Sequence, residues 1–309
     1  MKTAALITLF IFPLVGFAGT HTATIVKLEN SSVIYVPGEN KQAGFAHVKY
    51  LDAVYHIVPA AKGAKLENGY ILTTGPKSKA KVVFKNGDHF FVSENTQYKI
   101  DWKRDAGPKE DPSVISLIRG AVRGLIQKDG PRTGMKVKTA STVLGIRGTD
   151  FFVTENHGTL NVSVIRGNVE VFDNESGKKS TNVQSGQTLT KEDKEINITA
   201  ITKEDLREIS KSLVVEVKAE EAKPEVAKEL AELETSATEV TLNDIKQYQP
   251  QLYKEISGKQ NLKEMTSDSL AVNTVKIMEE KAPLRAKKPS QSELDDDSDP
   301  YENYKFKKK

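Results

Sequence analysis

Short runs of β-forming residues, separated at regular intervals by turn residues, are the feature that most limits how this chain can fold. They extend from about Ala23 to Ala200 and are rich in Val, Ile, Phe, Tyr and Thr. Val82–Phe84 and Phe90–Val92 flank Asn86-Gly87, a dipeptide that favours a hairpin because a tight turn there needs positive φ. The rhythm therefore predicts many short antiparallel strands.

Alternation within the runs supports the same interpretation. Valines recur at every second position on both sides of Arg166-Gly167-Asn168, at Val162, Val164, Val169 and Val171. Such spacing turns one face of a strand inward and the other outward. With almost no helical periodicity in this part of the chain, residues 22–200 are predicted to form an all-β domain, a twisted roll or sandwich of short strands.

One pair of segments within this region is similar. His89-Phe90-Phe91-Val92-Ser93-Glu94-Asn95 resembles Asp150-Phe151-Phe152-Val153-Thr154-Glu155-Asn156. The similarity has two explanations: strand-turn units resemble one another, or two stacked β units share a core. Two copies are too few to decide between them.

After Ala200 the pattern changes to that of helices. Thr202-Lys203-Glu204-Asp205 is a helix-start signal, with a capping hydroxyl and acids in the first turn. Similar starts are predicted at Pro224 and at Thr241–Asp244. The apolar residues at helical spacing are Leu206, Ile209, Leu213, Val226, Leu230, Leu233, Ile245 and Tyr248. Residues 202–282 are therefore predicted to be helical, and such narrow apolar stripes need a partner surface.

The two ends have other compositions. Lys2, the apolar run Ala4–Val15 and the small residues ending at Ala18 are typical of a secretory signal peptide. We expect residues 1–18 to be removed, the protein to be periplasmic or secreted, and no later stretch to span a membrane. Residues 283–309 are rich in Lys, Ser, Asp and Pro and are predicted to be disordered.

Composition and motif searches exclude several classes of function. The 45 basic and 42 acidic residues leave a formal net charge of +3, which argues against a nucleic-acid binder, and the lack of Cys excludes disulfides and thiol chemistry. Asp295, Asp297 and Asp299 begin like a calcium loop, but Pro300 and Phe306 stand where Gly and Glu are required. No His has a second metal ligand at HExxH-like spacing; the five are His21, His47, His56, His89 and His157. We predict no catalytic, metal or cofactor-binding residue, and no cofactor.

The most specific stretch runs from Thr139 to Phe151. It resembles the Thr-Pro-x-Ala-x-x-Gly-Val-Arg-Gly-Thr-x-Phe block of the FecR family, with Ala140 for the proline and Ile146 for the valine. Weaker family elements occur in order on both sides, so the resemblance covers about residues 50–190. These elements lie at Gly69–Gly75, Val82–Gly87, Leu117–Arg123, Val164–Val171 and Val183–Gln187.

We interpret the block as structural. Gly145 and Gly148 bracket Arg147, and glycines let a backbone turn tightly or approach another strand. Arg147 is predicted to cross between strands, to bond backbone carbonyls and to pair with Asp150. The structural set is Thr139, Gly145, Arg147, Gly148, Thr149, Asp150 and Phe151.

The resemblance also carries expectations about function. FecR-family members with a known role are often signal relays that hold a sigma-factor-binding segment in the cytoplasm, cross the inner membrane once and place the FecR domain in the periplasm. This sequence resembles the free-standing exported members instead. The leading expectation is a non-enzymatic protein that binds an unidentified envelope or periplasmic protein. The charged tail is interpreted as solvated, and weak contact between it and envelope polymers is the alternative. For the function, the alternative is a periplasmic component of a signal relay that works with a separate membrane-bound partner.

Overall fold

The chain folds into two β-sheets packed face to face, with a helical layer on the outside of one sheet. The computed structural model describes residues 23–38, 46–101, 114–127, 135–173, 180–213, 241–247 and 249–285, and the isolated positions 228, 231, 232, 238 and 239. The two sheets share one core, because a single cluster of buried apolar side chains contains residues of both. The prediction of an all-β domain followed by a helical segment is confirmed.

Sheet I is the helix-covered sheet, and all its neighbouring strands are antiparallel. In spatial order its strands are β5 (Lys65–Leu66), β1 (Ala23–Glu29), β7 (Lys79–Phe84), β8 (His89–Val92), the second half of β10 (Val114–Leu125), β13 (Asp150–Asn156), β14 (Thr159–Arg166), β17 (Gln187–Glu192) and β18 (Glu195–Ala200).

Sheet II packs against it and contains one parallel pair, β10 with β11. In spatial order its strands are β3 (Ala46–Tyr50), β4 (Ala53–Pro59), β2 (Ser32–Pro37), β6 (Ile71–Thr74), β9 (Gln97–Asp101), the first half of β10, β11 (Met135–Lys138), β12 (Thr142–Ile146), β15 (Asn168–Asp173) and β16 (Ser180–Gln184).

Strand β10 belongs to both sheets and bends at Gly120. Its first half pairs with β9 and its second half with β8 and β13. Gly120 has φ +92°, and a Cβ there would lie 2.4 Å from the Thr96 hydroxyl oxygen. A glycine is needed because only it combines positive φ with such a close approach.

The two similar segments lie on opposite sides of β10 in the same register. Gly124 is opposite both Phe90 and Phe151, and Arg123 is opposite both Phe91 and Phe152. The Phe90 and Phe151 rings meet edge to face at 6.4 Å within the shared core. The two similar segments therefore lie side by side in one sheet, on either side of β10, and contribute to one apolar core.

The chain turns tightly at two predicted places. β7 and β8 form the predicted hairpin, but Gly87 alone takes positive φ, because the connection is a four-residue loop in which Phe84 N–H donates to the Asp88 carbonyl at 2.9 Å. At Gly167, with φ +83°, the chain leaves β14 in sheet I and enters β15 in sheet II.

The helical layer consists of α1 (Lys203–Leu213), helical residues 241–247, α2 (Pro250–Lys259), a 3₁₀ turn (Leu262–Glu264) and α3 (Ser267–Lys281). The predicted start at Thr202 is confirmed, since its hydroxyl accepts from Asp205 N–H at 3.2 Å and Asp205 accepts in return from Thr202 N–H at 2.9 Å. Thr238 and Glu239 are already helical, so Thr241 is not the first helical residue there.

Apolar contacts fix this layer on sheet I. Leu206 and Ile209 of α1 and Val275 of α3 form a second buried cluster with the outward residues Phe91 and Phe152 of the sheet. Sheet I therefore supplies the partner surface that the narrow apolar stripes of α1 and α3 require, and its outer face becomes part of a second core.

The predicted end segments lie mostly beyond the described residues. The signal peptide at 1–18, the apolar residues Val226, Leu230 and Leu233, and the tail from 286 onward fall outside them. The first tail residues, 283–285, differ from the prediction because they are held against α1, where Lys203 N–H donates to the Pro283 carbonyl at 3.0 Å. No helix in the described ranges is long and apolar enough to cross a membrane.

Candidate functional site

The predicted motif residues hold together the turn between β12 and β13. The Thr139 and Thr142 hydroxyls lie 2.9 Å apart where β12 begins. The Thr149 hydroxyl lies 2.9 Å from the Asn168 carbonyl, joining the turn to β15. Gly148 takes φ +61°, and Phe151 is fully buried in the shared core.

Gly145 serves close packing within sheet II. A Cβ there would lie 3.3 Å from the ring of Phe172 on β15. The structural interpretation of the block therefore agrees with the contacts of six of its seven residues.

The predicted role of Arg147 is wrong. Arg147 is exposed, and the turn at Gly148 leaves its side chain in solvent. Asp150 instead accepts two hydrogen bonds from Arg123, at 2.8 Å from Nε and 2.7 Å from Nη2, and both side chains are almost fully buried. The buried guanidinium exists, but it comes from the central strand β10.

Arg123 also joins the sheet to the helical layer. Its Nη2 lies 3.4 Å from the Ala271 carbonyl of α3. A second buried pair, Arg166 with Asp244 at 2.8 Å, ties β14 to helical residues 241–247. Sequence reasoning missed both buried arginines. Arg123 alternates with the outward residues Ala121 and Leu125, which places it under a cover. Arg166 alternates with the inward residues Val162 and Val164, and only the register shift beside it on β13 turns it to the helical side.

A third polar contact fixes the N-terminus of α3. Lys81 of β7 is fully buried and donates to Asp268 and Ser267, each at 2.6 Å, and Lys27 also pairs with Asp268. Burial alone would raise the pKa of Asp268, but the two ammonium groups outweigh it and hold that pKa below its usual value. These three contacts hold the helices in one position on the sheet.

The docked helices create a groove between α1 and β18, with a volume of about 720 Å³. We call it the polar groove. Its floor is the outward face of β13, β14, β17 and β18, where side chains stand in cross-strand rows set by the register. The two main rows are Phe152, Ser163, Thr188, Thr199 and Thr154, Asn161, Thr190, Asn197.

Hydrogen bonds order the floor of the polar groove. The Thr190 hydroxyl donates to the Asn161 amide oxygen at 2.8 Å, and the Asn161 amide nitrogen donates to Thr154 at 3.3 Å. The hydroxyl oxygens of Ser163 and Thr188 are 2.9 Å apart and share a hydrogen bond. Hydroxyl and amide groups both donate and accept, so this floor can bind by hydrogen bonding.

Carboxylates line the sides of the polar groove. Glu192 and Glu195 stand on its strand side and Asp205 and Glu208 on its α1 side, while Arg285 pairs with Asp205 at 2.5 Å. Among the described lining residues, four acids thus face one base. The composition gives the groove a negative potential that favours cationic ligands.

Strand β18 forms the outer border of the polar groove. Within the described chain it has one hydrogen-bonded neighbour, β17, and five of its six residues are exposed. Glu195, Asn197 and Thr199 face the groove. The apolar residue Ile198, on the opposite face, is 40% exposed. The site therefore combines an open strand edge with a polar, acidic groove.

These features define a β-sandwich with a helical cover and a surface suited to binding. Residues 70–170 match the family model described as FecR protein, so this part of the chain is a FecR domain. The match lies inside the predicted range of 50–190 and confirms the family resemblance.

Other comparisons give a weaker likeness. Two crystal structures of a "putative anti-sigma factor" from Parabacteroides distasonis ATCC 8503 align with 15% identity and a TM-score of 0.37, over 42% of this chain. The chain spans 59% of the length of those structures. No curated protein sequence matches it.

Proposed function

We propose that the chain is a non-enzymatic, exported binding protein of the cell envelope that engages a protein partner along β18 and the polar groove. The observation that carries the proposal is the open edge of β18. Natural proteins cover such edges, shorten them or protect them with lysine, proline or bulges, because an open edge pairs with other chains. Here a six-residue edge lies exposed beside a ready-made groove.

Strand addition is a recognised way for a sheet to bind protein. Main-chain hydrogen bonds supply affinity and alternate side-chain positions supply specificity. β18 offers both, since its free edge borders the polar groove on one face and presents Ile198 on the other. The FecR domain at residues 70–170 supports a role in binding and regulation.

Site-directed photo-crosslinking tests this function. A photoreactive amino acid at Asn197, on the open edge, should yield a discrete crosslinked protein in cells that naturally make the chain. The matched control places it at Glu170, an exposed residue of β15 on sheet II. Equal crosslinking at the two sites, or none at Asn197, would rule out binding at this edge.

Export is supported by Lys2, the apolar run at 4–15 and the small residues ending at Ala18. We expect mass spectrometry of the periplasmic or secreted fraction to find a mature protein that begins at Gly19. A chain that retains Met1 and stays in the cytosol would contradict the proposed location.

A second candidate function is a component of an envelope signal relay, favoured specifically by the FecR match. In that case the partner crosslinked at Asn197 would be a membrane-bound regulator, and deletion of the gene would change transcription that depends on one sigma factor. An unchanged transcript profile would favour the first proposal, a binding protein of the envelope without a part in sigma-factor regulation.

A further inference from the structure

We infer that the partner contributes an extended segment in which basic and apolar residues alternate, added as a strand to the free edge of β18. This inference rests on the proposed function and specifies the chemistry of the partner. It combines three observations: the open backbone edge, an exposed apolar side chain on one face of β18, and carboxylates on the other.

The backbone of β18 sets the conformation of the segment. β18 pairs with β17 from Glu195 through Ala200, so half of its main-chain groups point away from the sheet, toward the open edge. An incoming strand would satisfy these groups and continue sheet I by one strand. Residues of that strand would alternate between the groove face and the core face.

The core face of β18 selects apolar residues. Ile196 packs at the margin of the main core, and Ile198 beyond it is 40% exposed. Directly opposite positions on neighbouring strands have Cβ atoms about 4.5–5.5 Å apart. Apolar side chains on the added strand would therefore cover Ile198 and extend the core.

The groove face selects basic residues. Glu195 would lie beside the added strand, with Glu192 one strand further in and Glu208 on the opposite wall. Lys and Arg side chains are long enough to reach these carboxylates, and their stems can lie along the polar floor. Charge complementarity of this kind chiefly sets specificity and association rate.

A second copy of the chain fits this surface less well. Antiparallel pairing of β18 with itself would add a second set of carboxylates, Glu195 and Glu192 of the other copy, and no cation to face those of the first. A glycan could bind the hydroxyl and amide groups of the floor, but it would leave the β18 backbone edge unpaired and Ile198 exposed. A basic and apolar strand meets all three features together.

The test uses the purified full chain and a fluorescent, end-blocked octapeptide of alternating Lys and Val. Two control peptides are an alternating Glu-Val octapeptide and an isomer with four Lys followed by four Val. We expect the Lys-Val peptide to bind in fluorescence anisotropy at least about ten-fold more tightly than either control, with affinity falling as salt rises. Equal affinity for the isomer would overturn the inference, because the isomer lacks the alternation.

Two sets of variants locate the binding. Glu192→Gln with Glu195→Gln should weaken binding about ten-fold and reduce its salt dependence, whereas Glu170→Gln with Glu264→Gln removes two exposed carboxylates elsewhere and should change nothing. Ile198→Lys should abolish binding and Ile198→Val should retain it. Hydrogen exchange should slow at residues 195–200 when the peptide is added; slowing elsewhere would refute strand addition.

Other occupants of the edge would appear as distinct results. Residues Tyr304-Lys305-Phe306-Lys307 of this chain carry the same alternation. A tail variant in which Lys305, Lys307, Lys308 and Lys309 are changed to Ser tests whether they occupy the edge. If the peptide binds this variant but not the unchanged chain, the chain's own tail takes the edge. A dimer that light scattering detects and that Ile198→Lys dissociates would mean a second copy. Either result would overturn the inference.

The outcome also separates this inference from the proposed function. A partner crosslinked at Asn197, together with no binding of the Lys-Val peptide, would leave binding at the edge in place and reject only the basic and apolar class. Failure of both experiments would reject the proposed function itself.

Discussion

Both carboxylate oxygens of Asp150 accept hydrogen bonds from Arg123 in a place that water hardly reaches. Removing one partner of such a pair leaves an uncompensated buried charge, which costs far more than the pair contributes. A few residues of this kind, buried and charged or buried and closely packed, therefore determine stability here. Exposed motif residues such as Arg147 do not.

Asp150→Ala should lower the free energy of unfolding by about 3–5 kcal/mol, because Arg123 then stays buried without its carboxylate. The control is Arg147→Ala, which should change it by less than about 0.5 kcal/mol since this side chain is exposed. Urea denaturation of the two variants checks both values. A larger loss for Arg147→Ala would restore the original structural role of Arg147.

Gly124→Ala should also be destabilising. The added Cβ would lie 2.4 Å from the Phe151 ring and 3.1 Å from the Phe90 ring, so both must move. Overpacking of this kind costs about 1–3 kcal/mol. Gly258→Ala in α2, where the new Cβ meets nothing within 4 Å, is the control and should be neutral or stabilising. Thermal denaturation of the two variants measures both effects.

His89 makes stability depend on pH. Burial, aided by Lys81 and Lys27 and opposed by Asp268, holds the pKa of His89 well below its usual value of 6.5. At pH values well above 6.5, His89 is neutral in both the folded and the unfolded chain. As pH falls below it, the unfolded chain binds a proton that the folded chain does not, so the free energy of unfolding should fall by up to about 1.4 kcal/mol per pH unit.

Urea denaturation between pH 8 and 5.5 measures this effect. Glutamine does not titrate in this range, so His89→Gln should reduce the dependence of the unfolding free energy on pH. His157→Gln, at an exposed turn, serves as the control and should leave it unchanged. An identical slope in all three proteins would show that His89 is not responsible.

At the scale of elements, α3 is the key piece of the helical layer. It packs against α1, its N-terminal Asp268 pairs with Lys81 and Lys27, and its Ala271 carbonyl meets Arg123. Asp268 also suits the positive end of the helix dipole. Because α1 packs on α3, these contacts indirectly position one wall of the polar groove.

Asp268→Asn should loosen α3 and α1 more than the sheets, since Lys81 keeps Ser267 but loses its carboxylate partner. We expect amide hydrogen exchange to speed up about ten-fold or more over residues 203–213 and 267–281, while β7, β8 and β13 stay protected. Equal acceleration in the sheets would mean that the helical layer and the sandwich open together. Glu280→Gln, on the exposed side of α3, is the matched control.

At the scale of the whole molecule, the helical layer and the sandwich depend on each other. The outward face of sheet I carries Phe91, Leu125, Phe152 and Ile165, which are buried because Leu206, Ile209 and Val275 cover them. The same face carries the buried charges of Lys81 and Arg123. A sandwich without its helices would expose an apolar patch around these cations.

A chain that ends at residue 201 should therefore bind a hydrophobic dye strongly and self-associate, because large exposed apolar patches promote association. The full chain should unfold in one cooperative transition. Dye fluorescence and analytical ultracentrifugation measure the difference. A monomeric fragment without dye binding would show that the sandwich is complete by itself.

Much of the β domain could be predicted from local pattern. Val162 and Val164 must share one face of their strand, and so must Val169 and Val171 of the next strand, while Asn86-Gly87 marks a turn between two β-forming runs. The similarity of His89–Asn95 to Asp150–Asn156 left two explanations open, and only the structure places these segments on either side of β10. The family motif added the turn at Gly148, where the glycine has positive φ.

The candidate site could not be predicted in the same way. β18 and α1 border one groove only after helices from the end of the chain dock on sheet I, and β18 is an edge only because of strand order. Along the sequence, Arg147 is much nearer to Asp150 than Arg123 is, so the sequence predicts the wrong ion-pair partner for Asp150. The bend and register of β10 bring the farther one to it.

By itself, then, the sequence determined the strands, their turns, the family and the change to helices near residue 200, since these depend on periodicity and on backbone preferences of a few neighbouring residues. The tertiary structure alone decided which charges are buried, which strand edges stay open and where carboxylates gather. Those properties arise between residues far apart in the chain, and burial and hydrogen bonding there depend on packing that no local pattern contains.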